Sequence, residues 1–161
     1  MKMMNFSTSI KELITDRKIK PGKFSFIQVQ ARLNLAYRDL KAAEDSLKSS
    51  SDWAYNIAYN AMLQAGRTLM FQKGFRPIAG EGGHWVVIEF LKIELGEKFK
   101  SILDFMDEMR KKRNRATYDM AGLISDTEAR ESVKIAKDFV LKITKIIDKL
   151  NPQKKLQLVN R

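Results

Sequence analysis

The chain contains no cysteine and a single histidine, His84. The first absence excludes disulfides, thiolate metal centres and cysteine nucleophiles, and leaves the redox compartment open. The second excludes histidine-cluster metal sites and any relay that needs two imidazoles. Long hydrophobic runs are also missing. The longest, Trp85-Val86-Val87-Ile88, falls far short of the ~20 residues a membrane-spanning helix needs. Met1 to Asn5 is too short, and its continuation too polar, for a signal peptide, so the expectation is a cytoplasmic protein without a membrane partner. What the chain does have is positive charge: 30 Lys and Arg against 19 Asp and Glu, a formal net charge of +11 over 161 residues. That excess favours anionic partners. With 44% apolar and 30% charged residues, the composition is that of a globular chain, neither disordered nor fibrous. Its length fits one domain over residues 1–161, able to bury roughly two-thirds of its unfolded surface.

Apolar residues recur at alternating spacings of three and four, which keeps one stripe of a helix facing its neighbours. Phe26, Val29, Leu33, Ala36, Leu40, Ala43 and Leu47 obey this rule. Ser49-Ser50-Ser51 interrupts it and supplies an N-cap for a second helix, from Asp52 to about Gln72, stopped by Gly74. In that helix Ala54, Ala58, Ala61 and Ala65 make a stripe of small side chains, flanked by Tyr55, Tyr59 and Met62, that lets another helix approach closely. Phe75 to Gly83 reads as a connecting loop; its glycines lack the Lys-Ser/Thr of a phosphate-binding P-loop. His84 to Leu95 fits either a strand or a helix. An isolated strand would have no partner, and Trp85, Ile88, Leu91 and Leu95 share a helical face, so a helix ending at Gly96 is expected. A further helix runs from about Glu97 to Thr117. The last opens at Ser125-Asp126-Thr127-Glu128, a capping-box pattern, and continues to Leu150 before Asn151-Pro152. A second such pattern, Ser9 to Glu12, opens a short helix over about 9–17. The expected architecture is all-α: an antiparallel up-and-down bundle of about five helices, with its core over about 25–150 and a basic C-terminal tail over 151–161, frayed from Lys154 to Arg161.

One residue breaks the pattern. Continuing the stripe Phe99, Ile102, Met106, Met109 by its own spacing leads to Arg113. A guanidinium on a core-facing stripe is expensive unless it is paired or lies in a cleft or interface. It sits within Arg110-Lys111-Lys112-Arg113-Asn114-Arg115 and is followed by Tyr118. Fork-shaped donors, an amide and a phenol compose a site for phosphate. Against this stands a scaffolding role, with Arg113 paired to Asp104, Asp107, Glu108 or Asp119 and the basic last turn complementing the helix dipole. No carboxylate or histidine spacing resembles a metal-ligand set, and no cofactor motif is present.

In order along the chain, several segments resemble the HEPN (higher eukaryotes and prokaryotes nucleotide-binding) domains. They are Ala36-Tyr37-Arg38-Asp39-Leu40 in the first long helix, Ala58-Tyr59-Asn60-Ala61-Met62-Leu63-Gln64-Ala65 in the second, and Leu69 to Pro77 at its end. His84 follows the loop, and Arg113-Asn114-Arg115-Ala116-Thr117-Tyr118-Asp119 comes late. The resemblance covers about residues 28 to 145. It implies an all-α homodimer in which the late Arg motifs of two protomers meet in a basic cleft. Active members are metal-independent RNases, often toxins countered by a nucleotidyltransferase or another antitoxin. Their catalytic pair is an Arg and, after four to six intervening residues, a His. Such a pair removes the 2′-hydroxyl proton and steadies the charge on phosphorus. Here Arg113 matches the Arg and Asn114 the polar residue after it, but Tyr118 stands where the His belongs. A phenol with an ordinary pKa near 10 is a poor base at pH 7.

The resulting expectation is RNA or nucleotide binding at a dimer cleft built on Arg113, Asn114 and Tyr118. Arg110, Lys112 and Arg115 add electrostatic attraction, and nuclease activity is weak or absent. Two alternatives stand beside it: an active endoribonuclease completed by Tyr118 or by a folded-in His84, and a non-enzymatic dimer that docks a nucleotidyltransferase or antitoxin. By sequence distance alone, His84 is expected to pin the helix that follows the Gly-rich loop.

Overall fold

Serine side chains set the beginnings of the long helices, because the first backbone N–H groups of a helix have no partner within it. The computed structural model describes residues 9–78, 83–118 and 120–158, with the side chains of 116–118 outside the description. The elements are α1 (Ile10–Thr15), β1 (Ile19–Pro21), α2 (Phe26–Ser46), α3 (Ser51–Gln72), β2 (Phe75–Pro77), α4 (Gly83–Leu95), a 3₁₀ turn (Glu97–Phe99), α5 (Lys100–Tyr118) and α6 (Asp126–Leu150). This is the all-α bundle that the periodicity predicts. Ser9, Ser25, Ser50 and Ser125 each accept a backbone N–H three residues on. The reciprocal capping box forms at Ser25, where Gln28 Oε1 accepts from the Ser25 N–H at 2.8 Å. At Ser125 the expected return bond from Glu128 gives way to an ion pair, with Lys112 Nζ at 2.5 Å from its carboxylate.

Most of each stripe expected from spacing points inward, while Phe26 and Leu47 at the ends of the first are only half-buried and Leu150, which ends the Ala129–Leu150 stripe of the last helix, is exposed. Val29, Leu33, Ala36, Leu40 and Ala43 of α2 are buried, as are Ala54, Ala58, Ala61 and Ala65 of α3 and Ala129, Val133, Ala136, Val140, Ile143 and Ile147 of α6. Helix α3 lies at the centre, packed against α2, α4, α5 and α6. The run Val86–Leu91 is buried all round, which explains its lack of alternation: α4 is a core helix enclosed by its neighbours. Where α3 and α4 meet, Gly66 has no room for more than hydrogen. A Cβ there would stand 2.8 Å from Leu91 Cδ1 and 2.9 Å from Val87 Cγ1. That approach brings the middle of α4 close to α3.

Three expectations need correction. Phe75–Pro77 is not plain loop: it pairs antiparallel with Ile19–Pro21, Ile19 opposite Pro77 and Pro21 opposite Phe75. The pairing joins segments far apart in sequence, so nothing local announces it. The Gly80-Glu81-Gly82 part of the loop lies outside the described residues. The fifth helix opens with a 3₁₀ turn before α5 begins. Nor is the C-terminal segment frayed through residue 158. Leu156 is buried, Asn34 Nδ2 donates to the Gln157 carbonyl at 3.3 Å, and the Gln157 N–H donates to Gln30 Oε1 at 2.6 Å. One buried leucine and two hydrogen bonds tie this segment to α2.

The turn between α5 and α6 is held by a carboxylate from another helix. Asp52, in the first turn of α3, accepts from Gly122 N–H at 2.7 Å and from Ile124 N–H at 3.2 Å. Asp52→Ala strands both donors and is expected to destabilise the fold by about 1.5–3 kcal/mol, measured by urea unfolding. An unchanged unfolding midpoint would show that water replaces the carboxylate without loss.

Candidate functional site

The misfit at Arg113 resolves into a contact across helices. Its half-buried guanidinium donates from Nε to Asn56 Oδ1 of α3 and lies over the Tyr59 ring, 5.5 Å from its centroid. Asn114 Oδ1 is 3.5 Å from Nη1. No carboxylate pairs with Arg113 among the described residues. Two of its candidate partners are engaged elsewhere: Asp104 by Lys92 and Lys100, and Asp107 by Arg110 and Lys111. Asp119 lies outside the described residues. The guanidinium is therefore fixed by a neutral amide and an aromatic face, with no carboxylate to compensate its charge among the described residues.

Tyr59 extends the site further. It is fully buried, and its hydroxyl lies 3.2 Å from His84 Nδ1 in the first turn of α4. The rings are tilted at 41° with centroids 5.8 Å apart. So His84, far from Arg113 along the chain, is linked to it through one phenol. Either the phenol donates to Nδ1, leaving Nε2 as the donor of a neutral ring, or Nδ1–H donates and Nε2 is left as an acceptor. Burial first, and then Arg67, Arg113 and Arg110, push the imidazole pKa down to about 4, so the ring is neutral at pH 7. Burial also raises the Tyr59 pKa, although Arg113, Arg110 and Arg67 oppose it.

The other expected residues take different positions. Arg110 is half-buried and pairs with Asp107 at 3.0 Å. Lys112 reaches Glu128 of α6. Asn114 and Arg115 are exposed. Tyr118 is the final residue of α5, and its side chain lies outside the described residues. The structure thus brings Arg113, Asn114 and Arg110 to one place with Asn56, Tyr59, Arg67 and His84 of other helices. A HEPN-domain model matches residues 29–147. The chain belongs to the HEPN family. No curated protein and no solved structure matches it.

HEPN membership is tied to nucleotide- and RNA-related function, and the site has chemistry of that kind. Arginines supply planar donors, Asn56 and Tyr59 hold one of them in place, and a neutral imidazole sits beside them. Among the described residues, no cluster of His, Cys, Asp and Glu could hold a metal ion, and no helix is long and apolar enough to cross a membrane. Sequence reasoning missed Asn56 and Arg67. Their signal was available: Asn56, Asn60, Gln64 and Arg67 form a polar stripe at spacings of four, four and three on a helix otherwise largely buried.

Proposed function

We propose that this HEPN domain binds RNA or a nucleotide through phosphate contacts at Arg113, with Asn114 and Tyr118 beside it and Arg110, Lys112 and Arg115 attracting the ligand. Cleavage is weak or absent. The observation that carries this reading is the half-buried Arg113 guanidinium held by Asn56 and Tyr59 with no carboxylate partner among the described residues. A scaffolding arginine at such a position would be neutralised. Phosphate from a ligand supplies the missing charge. The family resemblance supports a homodimer whose two Arg motifs share a cleft, with a nucleotidyltransferase or antitoxin as candidate protein partner and a cytoplasmic setting.

The test is fluorescence anisotropy of a labelled single-stranded RNA in EDTA, together with a gel assay for cleavage. Arg113→Gln is expected to weaken binding at least tenfold, about 1.4 kcal/mol, with the thermal midpoint retained. Equal affinity in the variant would refute the reading. Loss of the dimer in Arg113→Gln, with no RNA affinity in the parent, would point instead to a protein-docking module.

The Tyr59–His84 contact at 3.2 Å favours a second reading, a metal-independent endoribonuclease in which His84 accepts the 2′-hydroxyl proton through Nε2 while Arg113 steadies the phosphorane. EDTA-resistant cleavage that disappears in both His84→Ala and Arg113→Gln is its expected signature. Cleavage that survives His84→Ala excludes His84 as the base.

A further inference from the structure

The polar stripe of α3 continues past the Arg113 cluster. Its three amides have partners from neighbouring helices: Asn56 takes Arg113, Asn60 Nδ2 donates to Asp39 Oδ2 at 2.8 Å, and Gln64 Oε1 accepts from Arg32 Nη1 at 3.2 Å. The fourth member is Arg67. It is half-buried and has neither a hydrogen bond nor an ion pair among the described residues. The charged group it feels most is another arginine, Arg32 of α2, which adds to burial in lowering its pKa.

Arg32 is itself held by neutral groups. Besides Gln64, its guanidinium lies over the Phe71 ring, 5.1 Å from the centroid, and Phe71 stacks on Phe24 at 4.0 Å. The nearby carboxylate on the same helix, Asp39, is taken by Arg38 and Asn60. Arg32 thus reaches α3 at Gln64, one helical turn from Arg67, and among the described residues no carboxylate pairs with either guanidinium. One is positioned by an amide and an aromatic ring, and the other is half-withdrawn from water. Packing alone does not account for this, because an apolar side chain at position 67 would avoid both the desolvation and the repulsion.

Spacing along α3 gives the ligand its size. Asn56, the anchor of Arg113, and Gln64, the anchor of Arg32, are separated by about 12 Å of helix rise. Tyr59 and His84 lie between them. A strand carries phosphates at regular intervals and can meet both cationic positions, as a positively charged groove that tracks a backbone requires. We propose that Arg32 and Arg67 form a second anion subsite, holding a further backbone phosphate of a single-stranded RNA whose first phosphate sits at Arg113. This rests on the RNA-binding reading above and extends it from one phosphate to a strand lying along α3.

The experiment is anisotropy with a labelled RNA octamer, from about 50 to 200 mM salt, on the full chain and on Arg67→Gln, Arg32→Gln and Arg113→Gln. Arg113→Gln is expected to bind at least tenfold more weakly, and Arg67→Gln and Arg32→Gln several-fold to tenfold more weakly. Each should also lower the slope of log affinity against log salt by about 0.7, the value for one phosphate of a single strand that the protein no longer neutralises. The thermal midpoint of Arg67→Gln without RNA is expected to equal or exceed that of the parent, because an uncompensated half-buried charge has been removed. If Arg67→Gln and Arg32→Gln retain the parent affinity and slope while Arg113→Gln loses both, the second subsite is refuted and the Arg113 reading survives. If Arg113→Gln also binds normally, or the parent binds no octamer, both fail. Weakened binding at an unchanged slope, or a midpoint several degrees below the parent, makes Arg67 a structural residue and overturns the proposal.

Discussion

Phe139→Ala is expected to destabilise the protein by about 3–5 kcal/mol, lowering the thermal midpoint by roughly 10 °C for a chain of this size. Phe139 is fully buried on α6, on the helix that packs along α3. Its ring meets Phe99 nearly edge-on, at 77° with centroids 6.5 Å apart, so truncation removes both the burial and an aromatic pair. The surrounding stripe of Val140, Ile143 and Ala136 is equally buried, and a close-packed interior collapses only partly around a hole of this size. Two residues along, Leu141 is 38% exposed, and Leu141→Ala should cost far less, under about 1 kcal/mol. Urea unfolding of the two variants gives the comparison. Equal losses would mean that α6 does not present the face described.

A lone histidine makes the second large effect easy to read. The His84 ring should titrate near 4 in the folded chain against about 6.5 when unfolded, a difference followed by NMR without any assignment problem. The sign follows from proton counting. Between these values the unfolded chain holds one more proton than the folded one, so stability rises with pH across this window. The contribution is complete above pH 6.5 and is lost as pH falls through about 4. One proton sets a ceiling of about 1.4 kcal/mol per pH unit, and solvent around a half-buried ring holds the slope below that ceiling. His84→Asn should flatten this part of the stability profile.

Arginines are the second cause of the depression, so an anion that offsets Arg67, Arg113 and Arg110 should raise the His84 pKa. Arg67→Gln should raise it without any ligand. A ring that titrates near 6.5 and ignores both RNA and the Arg67 substitution would disprove the cluster.

The long helices are legible because helix formation is read from neighbours three and four positions apart. The spans expected for α3 and α6 agree with those observed to within a residue or two at each end, since Ser50 and Ser125 mark their starts and Gly74 and Asn151 lie just past their ends. For α4 the choice of helix over strand holds, although its all-round burial removed the usual periodic signal. The β1–β2 ladder was invisible for the opposite reason: Ile19 pairs with Pro77 across the whole length of α2 and α3, so no local spacing carries its signal.

Local register alone determined that a cation stands on the inward stripe of α5, and with it that Arg113 requires an explanation. Tertiary structure decided what surrounds that cation. Asn56, Tyr59 and Arg67 come from α3 and His84 from α4, two helices that approach closely at Gly66. A periodic pattern records which face of a helix turns inward, because burial acts on each side chain separately. Which residues of different helices then face one another is settled by packing, and no short-range spacing encodes it.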